Sequence, residues 1–190
     1  MTIPAQVNYV GKGANLYELG YENDGSAEVI IGYLRMAYLW EKIRVQGGAY
    51  GAFAAFDDRS GVFTFLSYRD PNVANTIAAY DKAADFLKHI DGSRLTDNEL
   101  TKAIIAAIGD LDAYQLPDAK GYTSMMRYLT GRTDEMRQKT RDQVLSANGE
   151  DFIAFGEVLE KLAQSNAVAV IGSQNAIESA NVGLEITKVL

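Results

Sequence analysis

The sequence predicts an α+β fold in which helices pack mainly on one face of a mostly antiparallel sheet. Two β-rich runs, 49–56 and 62–68, are joined by a short turn-forming segment and indicate a hairpin. Helical periodicities then follow one another without intervening strands, and further short β-like runs lie at both ends. Because segregated helices and paired strands are typical of α+β domains, and no linker or repeat interrupts them, we expect one domain over residues 1–190.

The composition fits a globular domain and excludes several classes of function. Apolar residues make up 47% and charged residues 23% of the 190 residues. Lys plus Arg number 18 and Asp plus Glu 25, a net charge of −7 without a basic stripe, so we expect no nucleic-acid or membrane partner. Cysteine is absent and His89 is the one histidine, which excludes disulfides, cysteine nucleophiles and an imidazole-rich metal centre within these residues.

The N-terminal part predicts a short strand followed by a long core helix. Residues 6–10 have the pattern of a half-buried strand, and Gly11-Lys12-Gly13 predicts a turn after it. The helix is expected over 26–44, where the polar positions form one narrow stripe. A helix that is apolar around most of its girth is buried on more than one side, so we expect Tyr33 and Trp40 to be core aromatics.

The hairpin follows this helix after a pair of glycines. Gly47 and Gly48 end the helix, since both can adopt positive φ. The turn at 57–61 reads Asp-Asp-Arg-Ser-Gly. We therefore interpret Asp57 and Asp58 as turn residues instead of a metal-binding or acid–base pair.

The rest of the chain predicts five further helices and two short strands. Asp70 and Pro71 begin the first helix, and a capping box at Thr96 and Glu99 begins the second. Glycine, proline and asparagine then divide the remaining sequence into helices near 118–130, 134–146 and 150–164, a strand over 167–171, a small polar helix or turn, and a last strand over 184–189.

Three charged features in this part are predicted to be structural. His89 falls at a helix end before Asp91-Gly92, where a cation is favourable against the helix dipole. Asp110 and Asp112 are two residues apart on a helix and do not face one another. The charged run 132–141 is expected to be a solvated face, with a contact to a neighbouring domain as the alternative.

The joint between the long helix and the hairpin is where the sequence points to chemistry. We expect Arg44 in the last helical turn and Tyr50 at the start of the strand, with Gly47 and Gly48 turning both side chains toward one space. Their N–H and O–H donors would suit a peptide carbonyl or an oxyanion forming from one. The alternative, which residue types alone favour, is that Arg44 neutralises the helix end and Tyr50 packs in the core.

Four segments resemble one protein family. Residues 39–52, LWEKIRVQGGAYGA, resemble the matching segment of the presequence-protease branch of the pitrilysin/insulinase zinc peptidases (family M16, subfamily C). The segments PDAKG, RYLTG and TDEMR, at 117–121, 127–131 and 133–137, resemble the last domain of the same family in the expected order. The resemblance identifies the chain as the C-terminal domain of such a peptidase, with the LuxS/mitochondrial-processing-peptidase-like metallohydrolase fold.

The resemblance implies a clamshell of four homologous α+β domains that degrades unfolded oligopeptides. Its zinc site, an inverted HxxEH motif plus a distal Glu, belongs to the first domain and cannot be built from one histidine. Zinc is therefore expected in the full-length enzyme and not in this chain, which alone should be inactive. Arg44 and Tyr50 match the family's Arg and Tyr that contact the substrate carbonyl and the oxyanion, and Gly47 and Gly48 complete the expected substrate-binding set.

The resemblance also implies the partners, which are the N-terminal catalytic half of the same polypeptide and unfolded peptides. The alternatives are an inactive structural or partner subunit of the same superfamily and a free-standing binding module. The start of the sequence lacks a signal-peptide pattern, and charges interrupt the longest apolar tract, 27–43, so no membrane span is expected. A bacterial cytoplasm fits the absent cysteine and acidic balance, with an organelle as the alternative.

Overall fold

The computed structural model describes residues 1–90, 94–165 and 167–188. Its centre is a four-stranded antiparallel sheet with strand order β2-β3-β1-β4. Helices cover the face of the sheet that carries Val10, Phe63 and Phe65, which are all buried. The predicted α+β class is therefore confirmed. The strands are β1 (Asn8–Asn15), β2 (Gly51–Phe56), β3 (Val62–Asp70) and β4 (Val168–Ile171).

The predicted hairpin is confirmed, but the predicted turn before it is wrong. Strands β2 and β3 pair in continuous register from Gly51 opposite Tyr68 to the end of the hairpin. Strand β1 runs straight through the Gly11-Lys12-Gly13 segment, where a turn was expected, and pairs with β3 on one side and β4 on the other. A Cβ on Gly13 would lie 2.5 Å from the carbonyl oxygen of Phe63, so glycine here permits close approach of two strands.

The long helix predicted over 26–44 is present, but its winding changes halfway. Helix α1 (Ser26–Leu34) continues as a π-helix (Arg35–Val45), with the N–H of Gln46 donating to the carbonyl of Glu41 at 2.9 Å. Because π-type bonds span five residues instead of four, the buried face recurs at a longer spacing. Trp40 does not lie on the buried face and is 44% exposed, so the prediction that it is a core aromatic is wrong. The buried residues of this half are Tyr38, Leu39 and Ile43.

The later helices lie close to their predicted positions. The helix expected from Asp70 is two helices, and Asp70 itself is the buried last residue of β3, accepting a hydrogen bond from the Thr76 hydroxyl at 2.7 Å. The capping box at Thr96 and Glu99 is confirmed, with the Thr96 N–H donating to the Glu99 carboxylate at 2.9 Å. The helices are α2 (Ala74–Asp81), α3 (Ala83–Lys88), α4 (Asp97–Leu111), α5 (Pro117–Leu129), α6 (Asp134–Leu145), α7 (Gly149–Ala163) and α8 (Gln174–Ala180).

The last predicted strand, over 184–189, does not form in the part that the structure describes. Residues 184–187 are irregular, and Lys188 makes an isolated bridge to Thr2. Val189 lies outside the described residues, as does the Asp91-Gly92 signal expected after the helix that carries His89. Over the described ranges, no helix combines the length and apolar character needed to cross a membrane.

The core lies between the sheet and helices α1, α3 and α7. Tyr33 is half-buried there, with its ring centre 5.5 Å from that of Phe152, so its expected place against the core is confirmed. Lys12 points into this core from β1 with 4% exposure. Its ammonium donates to the Asp81 carboxylate at 2.6 Å and to the Ala163 carbonyl at 2.7 Å, which ties the sheet to α2 and α7.

Candidate functional site

The expected site residues lie around the turn that joins the π-helix to the hairpin. Arg44 is in the last turn of the π-helix, with its guanidinium carbon 3.8 Å from the centre of the Trp40 ring. Tyr50 directly precedes β2, and its N–H donates to the carbonyls of Tyr68 at 3.1 Å and Arg69 at 3.3 Å. The start of β2 and the end of β3 therefore meet here, at the end of the sheet reached by the π-helix.

The two glycines of this turn are required for different physical reasons. Gly48 has φ +79°, which favours glycine, and its N–H donates to the Arg44 carbonyl at 2.9 Å. A Cβ on Gly47 would instead lie 2.5 Å from the carbonyl oxygen of Ile43. The Gly47 carbonyl accepts a hydrogen bond from the Asn72 side-chain amide at 2.6 Å, which fastens the turn to the segment before α2. The backbone between the two donor side chains is thus tightly constrained.

Both donors are available to a ligand. The Tyr50 side chain is 67% exposed, so the alternative in which it packs in the core is wrong. Its ring contacts that of Tyr68 edge-on, with centres 5.9 Å apart, which leaves the hydroxyl free. Across the part of the chain that the structure describes, neither the Tyr50 hydroxyl nor the Arg44 guanidinium has a hydrogen-bond or ion-pair partner.

A second feature, missed from the sequence, is the uncovered face of the sheet beside this turn. Phe53, Leu66 and Tyr68 are 43%, 45% and 39% exposed on this face, and the Tyr9 ring packs edge-on against Tyr68 at 5.5 Å. The signal was available, because the run VFTFLSY in β3 is apolar at both odd and even positions instead of alternating. An apolar side chain on each face of a strand indicates that both faces meet a partner.

Arg69 was also missed and adds a second cation at this end of the sheet. Its φ of +49° is left-handed, which is uncommon for a residue other than glycine. Its exposed guanidinium lies 5.5 Å from the centre of the Tyr68 ring. Arg44 precedes Tyr50 across the turn, and Arg69 lies on the strand whose backbone pairs with Tyr50. No local sequence pattern distinguishes Arg69 from an ordinary surface arginine.

The family of this chain follows from comparison with known proteins. A family model described as "PreP C-terminal domain" matches residues 1–174. The chain belongs to the PreP C-terminal domain family. It is 49% identical over 181 residues to presequence protease 1, chloroplastic/mitochondrial, of Arabidopsis thaliana, a match that covers 95% of this chain and 16% of the relative.

Two further comparisons place this PreP C-terminal domain among longer proteins. Presequence protease, mitochondrial, of Mus musculus is 29% identical over 175 residues, covering 92% of this chain and 16% of the relative. A protease of known structure from Helicobacter pylori superposes with a TM-score of 0.60 at 16% identity, which shows likeness of fold alone; the match covers 90% of this chain and 42% of that one. The chain thus spans about a sixth of the length of these curated relatives, and the family resemblance of the sequence is confirmed.

The other polar candidates of this PreP C-terminal domain have structural partners. The ring nitrogen Nδ1 of His89 lies 2.9 Å from the carbonyl of Asp85 at the end of α3. Asp57 accepts a hydrogen bond from the Ser60 hydroxyl at 2.7 Å within the hairpin turn, and this bond lowers the pKa of its carboxyl. Asp112 pairs with Arg141, which lowers its carboxyl pKa in the same way. Among residues 1–90, 94–165 and 167–188, no group of three or more ligating side chains could hold a metal ion.

Proposed function

We propose that this chain is the substrate-contacting C-terminal domain of a longer zinc metalloendopeptidase that degrades unfolded oligopeptides. The observation that carries the proposal is the pair of free donors, Arg44 and Tyr50, held at one end of the sheet by a turn that belongs to the family's matching segment. Proteolysis is the activity that the names of the Arabidopsis and mouse relatives state for those proteins.

In this proposal Arg44 and Tyr50 act on the substrate backbone. The guanidinium of Arg44 donates to a peptide carbonyl of the substrate, and its stacking on Trp40 limits the orientations available to it. The hydroxyl of Tyr50 donates to the oxygen of the scissile carbonyl as negative charge develops there, and such donors act mainly in the transition state. Gly47 and Gly48 allow the backbone of this turn to approach the peptide without side chains in the way.

The uncovered sheet face forms one wall of the proposed chamber. Phe53, Leu66 and Tyr68 offer apolar contact to an extended peptide, and such contact is independent of the peptide's sequence. Folded proteins bury most of their large apolar side chains, whereas an unfolded peptide exposes them, so this wall favours unfolded substrates. Closure of the catalytic half over this wall would bring the two donors to the reacting bond.

The residues of this chain do not fit a zinc site, since cysteine is absent and His89 is engaged at a helix end. The metal, its bound water and the general base would reside elsewhere in the longer polypeptide. We place the enzyme in a bacterial cytoplasm on composition; an organelle, as the names of the plant and mouse relatives state for them, is the alternative.

The test uses the complete protein that carries this chain, with an unfolded peptide as substrate. Tyr50→Phe removes one hydroxyl from a 67%-exposed side chain, and we expect kcat to fall by about 10²- to 10³-fold with little change in KM. Arg44→Gln should lower kcat/KM while circular dichroism shows an intact fold. Tyr114→Phe is the matched control, because that side chain is 83% exposed in the loop between α4 and α5 and should turn over peptide normally.

Turnover near wild type in both Tyr50→Phe and Arg44→Gln would refute the assigned roles. That result would limit this domain to packing and peptide guidance. If the complete wild-type protein turned over no peptide at all, the alternative function, an inactive structural or partner subunit of the same superfamily, would be favoured.

A further inference from the structure

Helix α5 is the one long helix of the described chain whose side chains find no place in the core. None of its 13 residues is buried. The helices on either side behave differently, because α4 buries Ala107 and α6 buries Val144, and both pack against α1. Helix α5 has no extensive contact with any other element that the structure describes.

The exposed residues of α5 include an apolar face with helical spacing. Tyr122, Met125, Met126 and Leu129 occupy positions i, i+3, i+4 and i+7 and are 63%, 49%, 36% and 67% exposed. We name these four residues the α5 stripe. Side chains at this spacing project from one side of a helix, which is the pattern of a helix that packs against a neighbour. An isolated helix of this length is marginal in water, so α5 requires a partner for its stability.

We propose that the α5 stripe is a permanent docking surface for another domain of the same longer polypeptide. The inference rests on the proposed function, in which this chain is one domain of a larger peptidase. The length of the relatives supports this occupant, since the chain spans 16% of the Arabidopsis and mouse proteins and most of such a polypeptide lies outside it. An apolar face within a chain of that length is most simply covered by the same chain.

The position of the stripe indicates which kind of contact it makes. Helix α5 connects α4 and α6, which pack on α1 on the helical side of the sheet, while the proposed peptide wall is the opposite face. A contact on the helical side can persist while the chamber opens and closes. Permanent interfaces are more apolar than transient ones, and the composition of the stripe is of the permanent kind.

The cations of α5 lie on the other side of the helix. At 3.6 residues per turn, Lys120 and Arg127 are about 150° or more around the helix from the centre of the stripe. Arg127 lines a cavity with Asp110, Asp112 and Asp134 of this chain. These cations therefore do not border the stripe, and we expect an apolar surface on the neighbouring domain.

The two methionines of the stripe allow a direct test by oxidative footprinting of the complete protein. Met136 on α6 is 54% exposed and serves as the internal control for Met125 and Met126. If the stripe is covered, both stripe methionines should oxidise about tenfold or more slowly than Met136, because oxidation follows exposure. Equal rates at Met125, Met126 and Met136 would overturn the proposal.

Two further measurements separate this occupant from others. Protection that disappears on dilution would show a second copy of the protein on the stripe and would overturn the proposal, whereas an intramolecular contact is independent of concentration. The variant Leu129→Gln should speed oxidation of Met126 several-fold in the complete protein, while Met136→Gln should leave it unchanged. If both Tyr50→Phe and Arg44→Gln turn over peptide normally but the methionines stay protected, the assigned roles of the two donors fail and the docking surface stands.

Discussion

Replacement of Gly47 by alanine tests whether the turn sets the positions of Arg44 and Tyr50. The added Cβ would lie 2.5 Å from the carbonyl oxygen of Ile43, and ordinary van der Waals contact begins at 3.4 Å. Neither atom belongs to a flexible side chain, so the backbone itself must move by about 0.5–1 Å, a displacement that can cost an active site about 10²-fold in rate. We expect kcat/KM of Gly47→Ala to fall by about 10- to 100-fold on an unfolded peptide in the complete protein.

Gly48→Ala is the matched control at the adjacent position. Its Cβ would meet nothing closer than the Pro71 ring at 3.6 Å, so the cost is confined to the left-handed φ of +79°. That cost is about 1–2 kcal/mol of unfolding free energy, measured by urea denaturation. Gly48 belongs to the proposed substrate-binding set, but its Cβ requires no backbone shift, so turnover should fall less in Gly48→Ala than in Gly47→Ala. If folded Gly47→Ala turns over peptide as well as Gly48→Ala does, the turn does not position the two donors and the reasoning is refuted.

Two further predictions concern stability. Asp81→Ala leaves the 4%-exposed Lys12 ammonium without its carboxylate, and we expect it to lower the unfolding free energy by about 3–5 kcal/mol. Lys12→Met instead leaves a 39%-exposed carboxylate that water can solvate, so the expected loss is about 1–3 kcal/mol. Urea denaturation measures both, and the reverse order would contradict the burial argument. The Thr96 N–H donates to the Glu99 carboxylate and lowers its pKa below the usual 4.5. The ionised carboxylate therefore stabilises the fold fully above pH 4.5, and this stabilisation is lost as the pH falls through the pKa of the folded state. The difference in Tm between wild type and Glu99→Gln should therefore be present at pH 7 and absent by about pH 2; a constant difference would show that the carboxylate charge is not responsible.

The elements that the sequence predicted correctly are those with local causes. The capping box at Thr96, the hairpin turn at 57–61 and the stop at Gly48 each depend on side chains and backbone freedom within a few residues. The turn predicted at Gly11-Lys12-Gly13 is wrong for the opposite reason. Its glycines lie against β3, which is more than 50 residues away in sequence. Residue type alone cannot distinguish a glycine needed for a turn from one needed for close contact between strands.

The π-helix explains why Trp40 was misplaced. The prediction assumed a repeat of 3.6 residues through the whole helix, and that repeat was sound for α1. Beyond Leu34 the buried positions, which include Tyr38 and Ile43, shift to spacings of four and five. Because the π-helix also releases Trp40 to the surface, it creates the aromatic platform on which the Arg44 guanidinium rests.

The same distinction between local and distant causes applies to how much of the candidate site could be predicted. The two glycines were enough to predict that Arg44 and Tyr50 flank a sharp turn, but their role came from family resemblance. Arg69 lies beside Tyr50 because β2 pairs with β3, and no local sequence pattern predicts that position.

The sheet face and the α5 stripe lead to one structural argument about how this domain would work. Each is an apolar surface that the described residues leave uncovered. One is the open face of the sheet, and the other belongs to the helix that connects α4 and α6, which pack on the helical side. A domain fixed through both could not release a peptide, and one fixed through neither could not hold Arg44 and Tyr50 at a defined distance from a catalytic centre. Permanent attachment through the helical side and transient contact through the sheet satisfies both requirements, because it anchors the donors while leaving the peptide wall free to open.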